Sequence, residues 1–274
     1  MGRAKEIVIK VIPASIANPF VRAHHYSGKV VNNSTLHFGA FLDGQLHGVM
    51  SFGPSMDKSK LIGLVEGTKW NEFIELNRMA FDDYLPRNSE SCSIGKAIRL
   101  IRKNAPHIKW IVSFADGCSC GDGTIYRASN FVLTQIKPNS TILIFPNGEK
   151  IAELTLTADW DCRKARELAR EFGVPHRYRT IREWKELGAV EAPGYMLRYI
   201  YFIDKSCRDK LTCPIIPFSE IDKCGAGMYR GGRSSREERH QSGVMWLEER
   251  NERKAEEGNR SGDIRESSED TMHS

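Results

Sequence analysis

VSFADGCSCGDGTIYRASNF, residues 112–131, brings three kinds of local structure together in one short stretch. An apolar, β-type run ends at an acid, Asp116. A loop of small residues rich in glycine follows, and a short helix signal from Gly123 to Asn130 then carries Tyr126 and Arg127. The run into Asp116, Ile108–Ala115, is apolar on both of its alternating faces, which marks a strand covered on both sides. A rigid strand that ends in a polar residue and a flexible loop is where α/β proteins place their chemistry.

Working outward from that strand, Ser89 is placed to cap a helix reaching about Asn104, with Ile94, Ile98 and Ile101 on one face and Pro106 beyond its end. Farther upstream, Glu6–Ile12 reads as a strand and Ser15–Tyr26 as a helix interrupted by Pro19. Leu36–Leu42 and Leu46–Phe52 form a hairpin about Asp43-Gly44, and Phe73–Met79 is another strand. Downstream, Phe131–Gln135, Thr141–Phe145 and Met196–Ile203 read as strands. The order predicts an α/β fold, a mixed central sheet with flanking helices. It is similar to the element order of the Gcn5-related N-acetyltransferase fold.

Residues 157–188 differ in character. Thr157 or Asp159 is placed to cap a helix from Trp160 to Phe172, which Gly173 and Pro175 end. Thr180 and Glu183 have capping-box spacing for a second helix ending at Gly188. Arg163, Arg166 and Arg170 fall on one helical stripe beside Lys164. From Arg163 to Lys185 there are eight Lys/Arg against three Glu. The pair resembles a helix-turn-helix with a lengthened turn, and it is expected to be a basic helical insertion that contacts DNA phosphates. A solvated amphipathic pair is the plain alternative.

The chain carries a formal net charge of +5 over 274 residues. Its last stretch, 231–274, holds 8 Lys/Arg and 11 Asp/Glu, so residues 1–230 are more basic than the total implies. That stretch is poor in apolar residues and reads as a polar, disordered tail following a domain of residues 1–230. Such a basic excess suits a nucleic-acid partner and equally suits many enzymes. The opening MGRAKEIVIK has no apolar signal core, and no run approaches the ~18 apolar residues of a membrane span. A reducing cytoplasm with unpaired thiols is therefore expected, with no membrane partner. The seven cysteines lack the paired spacing of a zinc site.

Several side chains stand out for their chemistry. Tyr126 could donate a proton to a leaving group, or simply pack on its helix. Asp116 and Asp122 flank the glycine loop, and Asp122 reads as a turn former. His24-His25-Tyr26 closes the first helical region, where adjacent residues point apart, so one histidine at most would face a site. Arg78 in IELNRM lies in an otherwise apolar strand and needs a partner, either a carboxylate such as Asp116 or a bound anion. LPRNSESCSIGKAI, residues 85–98, occupies the position of the acetyltransferase pyrophosphate loop but lacks its glycines. Arg87, Ser89 and Ser91 could still hold an anion there, while Glu90 would repel one, which argues against an acyl-CoA-type donor.

HHYSGKVVNNS, LHFGAFLDGQLHGVMSFGP, FIELNRMAF, LPRNSES, APHIKWIVSFADG, CGDGTIYRASNF and RYIYFIDKSCRDKLTCPIIPFSEIDKCGAGMYRG together resemble the Mom DNA-modification family of bacteriophages. The resemblance spans most of residues 1–230. It implies a divergent acetyltransferase-like fold and a transferase that converts adenine in DNA to N6-(carbamoylmethyl)adenine, shielding phage DNA from restriction. Double-stranded DNA, a small-molecule or carrier-bound group donor and the host bacterium's cytoplasm follow from it. Carried over by position, the functional residues are His25, Tyr26, Arg78, Ser91, Asp116 and Tyr126. The resemblance also raises an iron ion, for which His25 and Asp116 are the candidate ligands. Two other readings remain open: an acetyl-CoA-dependent N-acetyltransferase, and a DNA-binding antirestriction protein without catalysis.

Overall fold

A computed structural model describes residues 2–118, 121–157 and 160–223. The tail expected over 231–274, together with Cys120, Asp159 and Cys224, lies outside the described residues. The chain forms two compact units, which divide at Pro138/Asn139 and Pro193/Gly194.

The first unit is built on strands β1 (Val8–Val11), β2 (Leu36–Leu42), β3 (Gln45–Gly53), β4 (Phe73–Phe81), β5 (Trp110–Asp116), β6 (Val132–Pro138) and, after the second unit in sequence, β10 (Tyr195–Phe202). They form one sheet in the order β1-β2-β3-β4-β5-β10-β6. The expected hairpin joins β2 to β3 through Asp43 (φ 51°) and Gly44 (φ 78°), the positive-φ pair of a primed turn. Its helices are α1 (Ala14–His24), the short α2 (Lys58–Leu61), α3 (Ser89–Asn104), α4 (Thr124–Ala128) and α8 (Ser219–Lys223).

One strand pair decides where a ligand fits. β4 and β5 run parallel, joined by the α3 crossover, and pair only at Phe73↔Trp110, Ile74↔Ile111 and Glu75↔Val112. Beyond these they part company. β4 continues on β3 as far as Phe81↔Gly48, while β5 continues on β10 as far as Asp116↔Met196. The carboxyl ends of two central strands thus open a cleft in the sheet, the kind of place where α/β proteins bind ligands.

β4 also carries a bulge. Ser51 lies opposite Arg78 and Phe52 opposite Leu76, so Asn77 is the extra residue. A bulge reverses the alternation of every side chain beyond it. Ile74 and Leu76 before the bulge, and Met79 and Phe81 after it, face the core beneath α3, which Ile94, Ala97, Ile98 and Ile101 fill from the helix. Phe73 faces the opposite core with Trp110 and Val112. Ala80 joins Val49, Ala17 and Val21 beneath α1. Glu75 before the bulge and Arg78 after it therefore share the α1 face.

Two local expectations are corrected here. Ser89 does not cap α3; the N-cap is Asn88, in the left-handed region at φ 68°, and the Ser89 hydroxyl donates to the Pro86 carbonyl at 2.5 Å. His25 and Tyr26 do not lie on a helix. α1 ends at His24, and His25 is extended (φ −80°, ψ 137°), which frees the two neighbours from helical spacing.

The second unit, Asn139–Pro193, holds a small sheet of its own. Its strands β7 (Ile142–Ile144), β8 (Lys150–Ala152) and β9 (Val190–Glu191) run in the order β8-β7-β9, with helices α5 (Glu153–Thr157), α6 (Arg163–Glu171) and α7 (Ile181–Glu186). Leu143, Phe145, Ile151, Leu156, Leu168, Trp184 and Ala189 form its core. The helix expected from Trp160 starts at Arg163 instead, because the Cys162 sulfur accepts from the Ala165 N–H at 3.4 Å and caps it. Thr157 ends α5 rather than capping α6. α7 carries the expected Thr180/Glu183 capping box.

Candidate active site

Three segments bring polar side chains to the α1 face of the cleft. β5 alternates Trp110, Val112, Phe114 and Asp116 onto that face, and its end is buried. The Asp116 Oδ1 accepts the Cys118 N–H at 2.9 Å, which pins the carboxylate within its own turn. The Tyr26 hydroxyl, arriving from the segment after α1, donates to Asp116 Oδ2 at 3.4 Å. Tyr26 itself is 37% exposed, so this pair stands at the rim.

His25 packs on Tyr26 with ring centroids 4.3 Å apart. Its Nδ1 lies 2.8 Å from the Ser27 hydroxyl and accepts the Ser27 N–H at 3.1 Å. A nitrogen that accepts a backbone N–H carries no proton, so the neutral ring bears its hydrogen on Nε2. Burial, reinforced by the Arg78 charge, lowers the imidazole to about 3. At neutral pH His25 is thus a neutral hydrogen-bond donor and a poor proton acceptor.

Arg78 reaches the same face through the bulge. Its Nε donates to the Lys29 carbonyl at 3.1 Å and Nη1 to the Asn77 carbonyl at 2.7 Å. The expected pairing with Asp116 does not form: Arg78 makes no ion pair among the described residues. Two carbonyls orient the guanidinium and leave its charge to serve an anion.

Sequence reading missed the residue beside it. Glu75, the last β4 residue paired with β5, is mostly buried, and that burial raises its carboxyl above the ordinary range against the opposing pull of Ser55, Asn77 and Arg78. Strict strand alternation would put Glu75 and Arg78 on opposite faces, so no sequence signal joins them; the bulge does.

The remaining candidates lie elsewhere. The Tyr126 ring belongs to the core on the α3 face, 5.2 Å from the Tyr199 ring and 5.4 Å from Phe131. Asp122 is the turn former expected, its Oδ1 accepting from the N–H and hydroxyl of Thr124. At the start of α3, Ser91 donates to the Asn88 carbonyl at 3.2 Å, so Ser89 and Ser91 both spend their hydroxyl protons on their own loop. Arg87 is exposed there.

His25 and Asp116 do not make an iron site with their described neighbours. Both Asp116 oxygens and His25 Nδ1 already accept hydrogen bonds, and no group of three His, Cys, Asp or Glu gathers among the described residues. A non-haem iron of the two-histidine, one-carboxylate kind needs three such ligands.

In the second unit the basic stripe is largely paired. Arg163 meets Glu167 at 3.3 Å, Arg166 meets Asp161 at 2.9 Å, and Lys164 joins Glu149 and Glu167. The excess counted from Arg163 to Lys185 left out Glu149 and Asp161, which the fold brings back. Arg170 is exposed.

Comparison with known proteins follows the same lines. Solved acetyltransferases align loosely. A GNAT family acetyltransferase from Elizabethkingia anophelis covers 72% of this chain and 97% of its own, at 14% identity and a TM-score of 0.37. The ribosomal-protein-S18-alanine N-acetyltransferase from Escherichia coli covers 72% and 94%, at 9% identity and 0.38. Likeness at that level identifies neither ligand nor reaction. The sequence match is of another order: the methylcarbamoylase mom of Escherichia phage Mu is 33% identical over 220 residues, 80% of this chain and 85% of that protein. The description "Mom protein family" matches residues 6–220, the span that holds the cleft and every polar group around it. The chain belongs to the Mom protein family.

Proposed function

We propose that this protein is a transferase that modifies adenine in DNA, placing a carbamoylmethyl group on N6. The observation that carries this reading is the match to the phage Mu methylcarbamoylase across 80% of the chain, with a polar cluster at the opening of the sheet inside the matched span. N6 must give up a proton as its bond to the new carbon forms, and its lone pair is delocalised into the ring. The site therefore needs a proton acceptor held in place. Asp116 supplies it: Oδ1 is fixed by a backbone N–H, and Oδ2 faces the rim, where Tyr26 meets it. His25, neutral with its proton on Nε2, donates a hydrogen bond to an oxygen of the incoming group. Arg78 holds an anion of the donor or of the DNA, and as the N6–carbon bond forms the donor's bond to that carbon breaks, its leaving group departing with the electron pair.

N6 points into the major groove and is engaged in base pairing, so the adenine is taken out of the stack to reach a cleft in the sheet. The partners are double-stranded DNA and a donor molecule, and the setting is the cell a phage infects. The test is mass spectrometry of nucleosides from the DNA of cells producing the protein. A new adenosine species heavier by the carbamoylmethyl group is expected, and its absence in several hosts counts against the reading. An acetylated adenosine, or bound but unmodified DNA, would favour respectively an N-acetyltransferase or a binding protein.

A further inference from the structure

We propose that Glu75 is a positioning residue of this site, acting through Arg78: its carboxyl sets how strongly the guanidinium holds an anionic group in the cleft. The inference rests on reading the β4/β5 opening as the site. Glu75 is the last residue at which the two strands pair, so it stands at the floor of the opening. The bulge at Asn77 turns Arg78 onto the same face. Arg78 is steered by the carbonyls of Lys29 and Asn77 and, among the described residues, pairs with no carboxylate at salt-bridge distance. Glu75 is nonetheless near enough for the Arg78 charge to act on it, as that charge acts on His25. The three groups thus share one electrostatic neighbourhood, in which the Arg78 charge acts on both of the others.

The groups that face Glu75 set its charge. Ser55 and Asp57 come from the segment after β3, Asn77 and Arg78 from β4 itself, and the paired neighbour on β5 is apolar Val112. Burial and Asp57 favour the protonated form; Ser55, Asn77 and Arg78 favour the charged one, and burial is the largest influence. Protonated, Glu75 leaves Arg78 unopposed, and an anion binds tightly. Ionised, it offsets Arg78, and the anion is held loosely. The anion chemistry is an oxyanion of phosphate type, whether of the DNA backbone or of the donor.

The test uses two probes whose own charge is constant across mild pH: inorganic sulfate, standing for a donor anion, and a short adenine-containing duplex. Each is titrated onto the full chain from pH 5 to pH 8. For at least one of them, wild-type affinity rises on acidification, on the order of tenfold in all, as expected for one charge acting over several ångströms in a partly buried site. Glu75→Gln keeps the shape without the charge, so that probe binds tightly at every pH and the dependence disappears. Arg78→Ala removes both binding and dependence. Ser55→Ala removes a partner of the charged form, so the transition moves to higher pH; it keeps the question answerable should Glu75→Gln fold poorly. The probe that shows the effect identifies the source of the anion. Identical affinity and pH dependence in wild type and Glu75→Gln, for both probes, overturn the proposal. A wild-type protein that shows the Glu75-dependent binding but makes no modified adenosine leaves this inference standing and removes the proposed function instead.

Discussion

At the scale of single residues, the structure gives two side chains of the proposed site different proton chemistry. Both Asp116 and His25 suited a proton acceptor by type. The Ser27 N–H, pointing into His25 Nδ1, and the burial of the ring settle the imidazole as neutral. Its proton then resides on Nε2, and two-dimensional nitrogen NMR should find that tautomer at pH 6; a doubly protonated ring at that pH would contradict it. The same shift ties His25 to stability. The unfolded imidazole takes a proton near 6.5 and the folded one only near 3, so between those values the unfolded chain binds more protons. This contribution is intact above about pH 6.5 and is lost as pH falls through that window. His25→Gln should flatten the acid limb of a denaturation-versus-pH curve, and an unchanged limb would show that the ring does not titrate this way. Asp116→Asn has a different expected signature. The Cys118 turn retains an acceptor while the proton acceptor is lost, so adenine modification should fall by at least about a hundredfold with folding intact. Full modification by that variant would remove Asp116 from its assigned part.

At the scale of elements, the end of β5 is held by a close approach that a single methyl would disturb. The Gly117 N–H donates to the Tyr195 carbonyl at 2.8 Å, and a Cβ on Gly117 would lie 2.6 Å from that same oxygen. Backbone on both sides leaves nothing flexible to yield. Gly117→Ala should therefore push β5 and β10 apart where Asp116 is placed, costing modification more than melting temperature; an active, normally stable variant would mean the strand end tolerates the shift. Local chemistry made much of this architecture readable. The Asp43-Gly44 turn, the Ile94/Ile98/Ile101 face of α3, the run into Asp116 and the Thr180/Glu183 box each state their element in a few residues. What stayed hidden depends on partners far along the chain. The bulge at Asn77 exists only in the register of β4 against β3, and without it Glu75 and Arg78 read as facing opposite ways. The His25-Tyr26 pair was misjudged because α1 stops at His24, two residues sooner than the helix read to Tyr26. The second unit's strands, of two or three residues each, are too short to show alternation.

At the scale of the whole molecule, the question is how much of the basic excess is available to DNA. On the second unit the Arg163 and Arg166 guanidinium groups already sit against Glu167 and Asp161. Asp161, accepting from Arg166 and His176, is lowered to about 2, so it stays charged at any physiological pH. Exposed pairs of this kind contribute little to stability, and a phosphate can displace the acid with little cost. The exchange nevertheless lowers the gain per contact, and Arg170, with no ion pair among the described residues, should contribute most. Each phosphate neutralised adds about 0.9 to the slope of log affinity against log salt, so three independent contacts would give about 2.7. Replacing Arg163, Arg166 and Arg170 by Ala should weaken DNA binding and reduce that slope by roughly 1–2, less than the full figure because two of the three cations start out paired. Removing the competitors should do the opposite: Asp161→Asn with Glu167→Gln takes away the carboxylates that pair with Arg166 and Arg163, and affinity at low salt should rise. Filter binding across a salt series with the three proteins decides the matter. If the slope is the same for all of them, the stripe is a solvated face, and DNA is held by other cations of the chain.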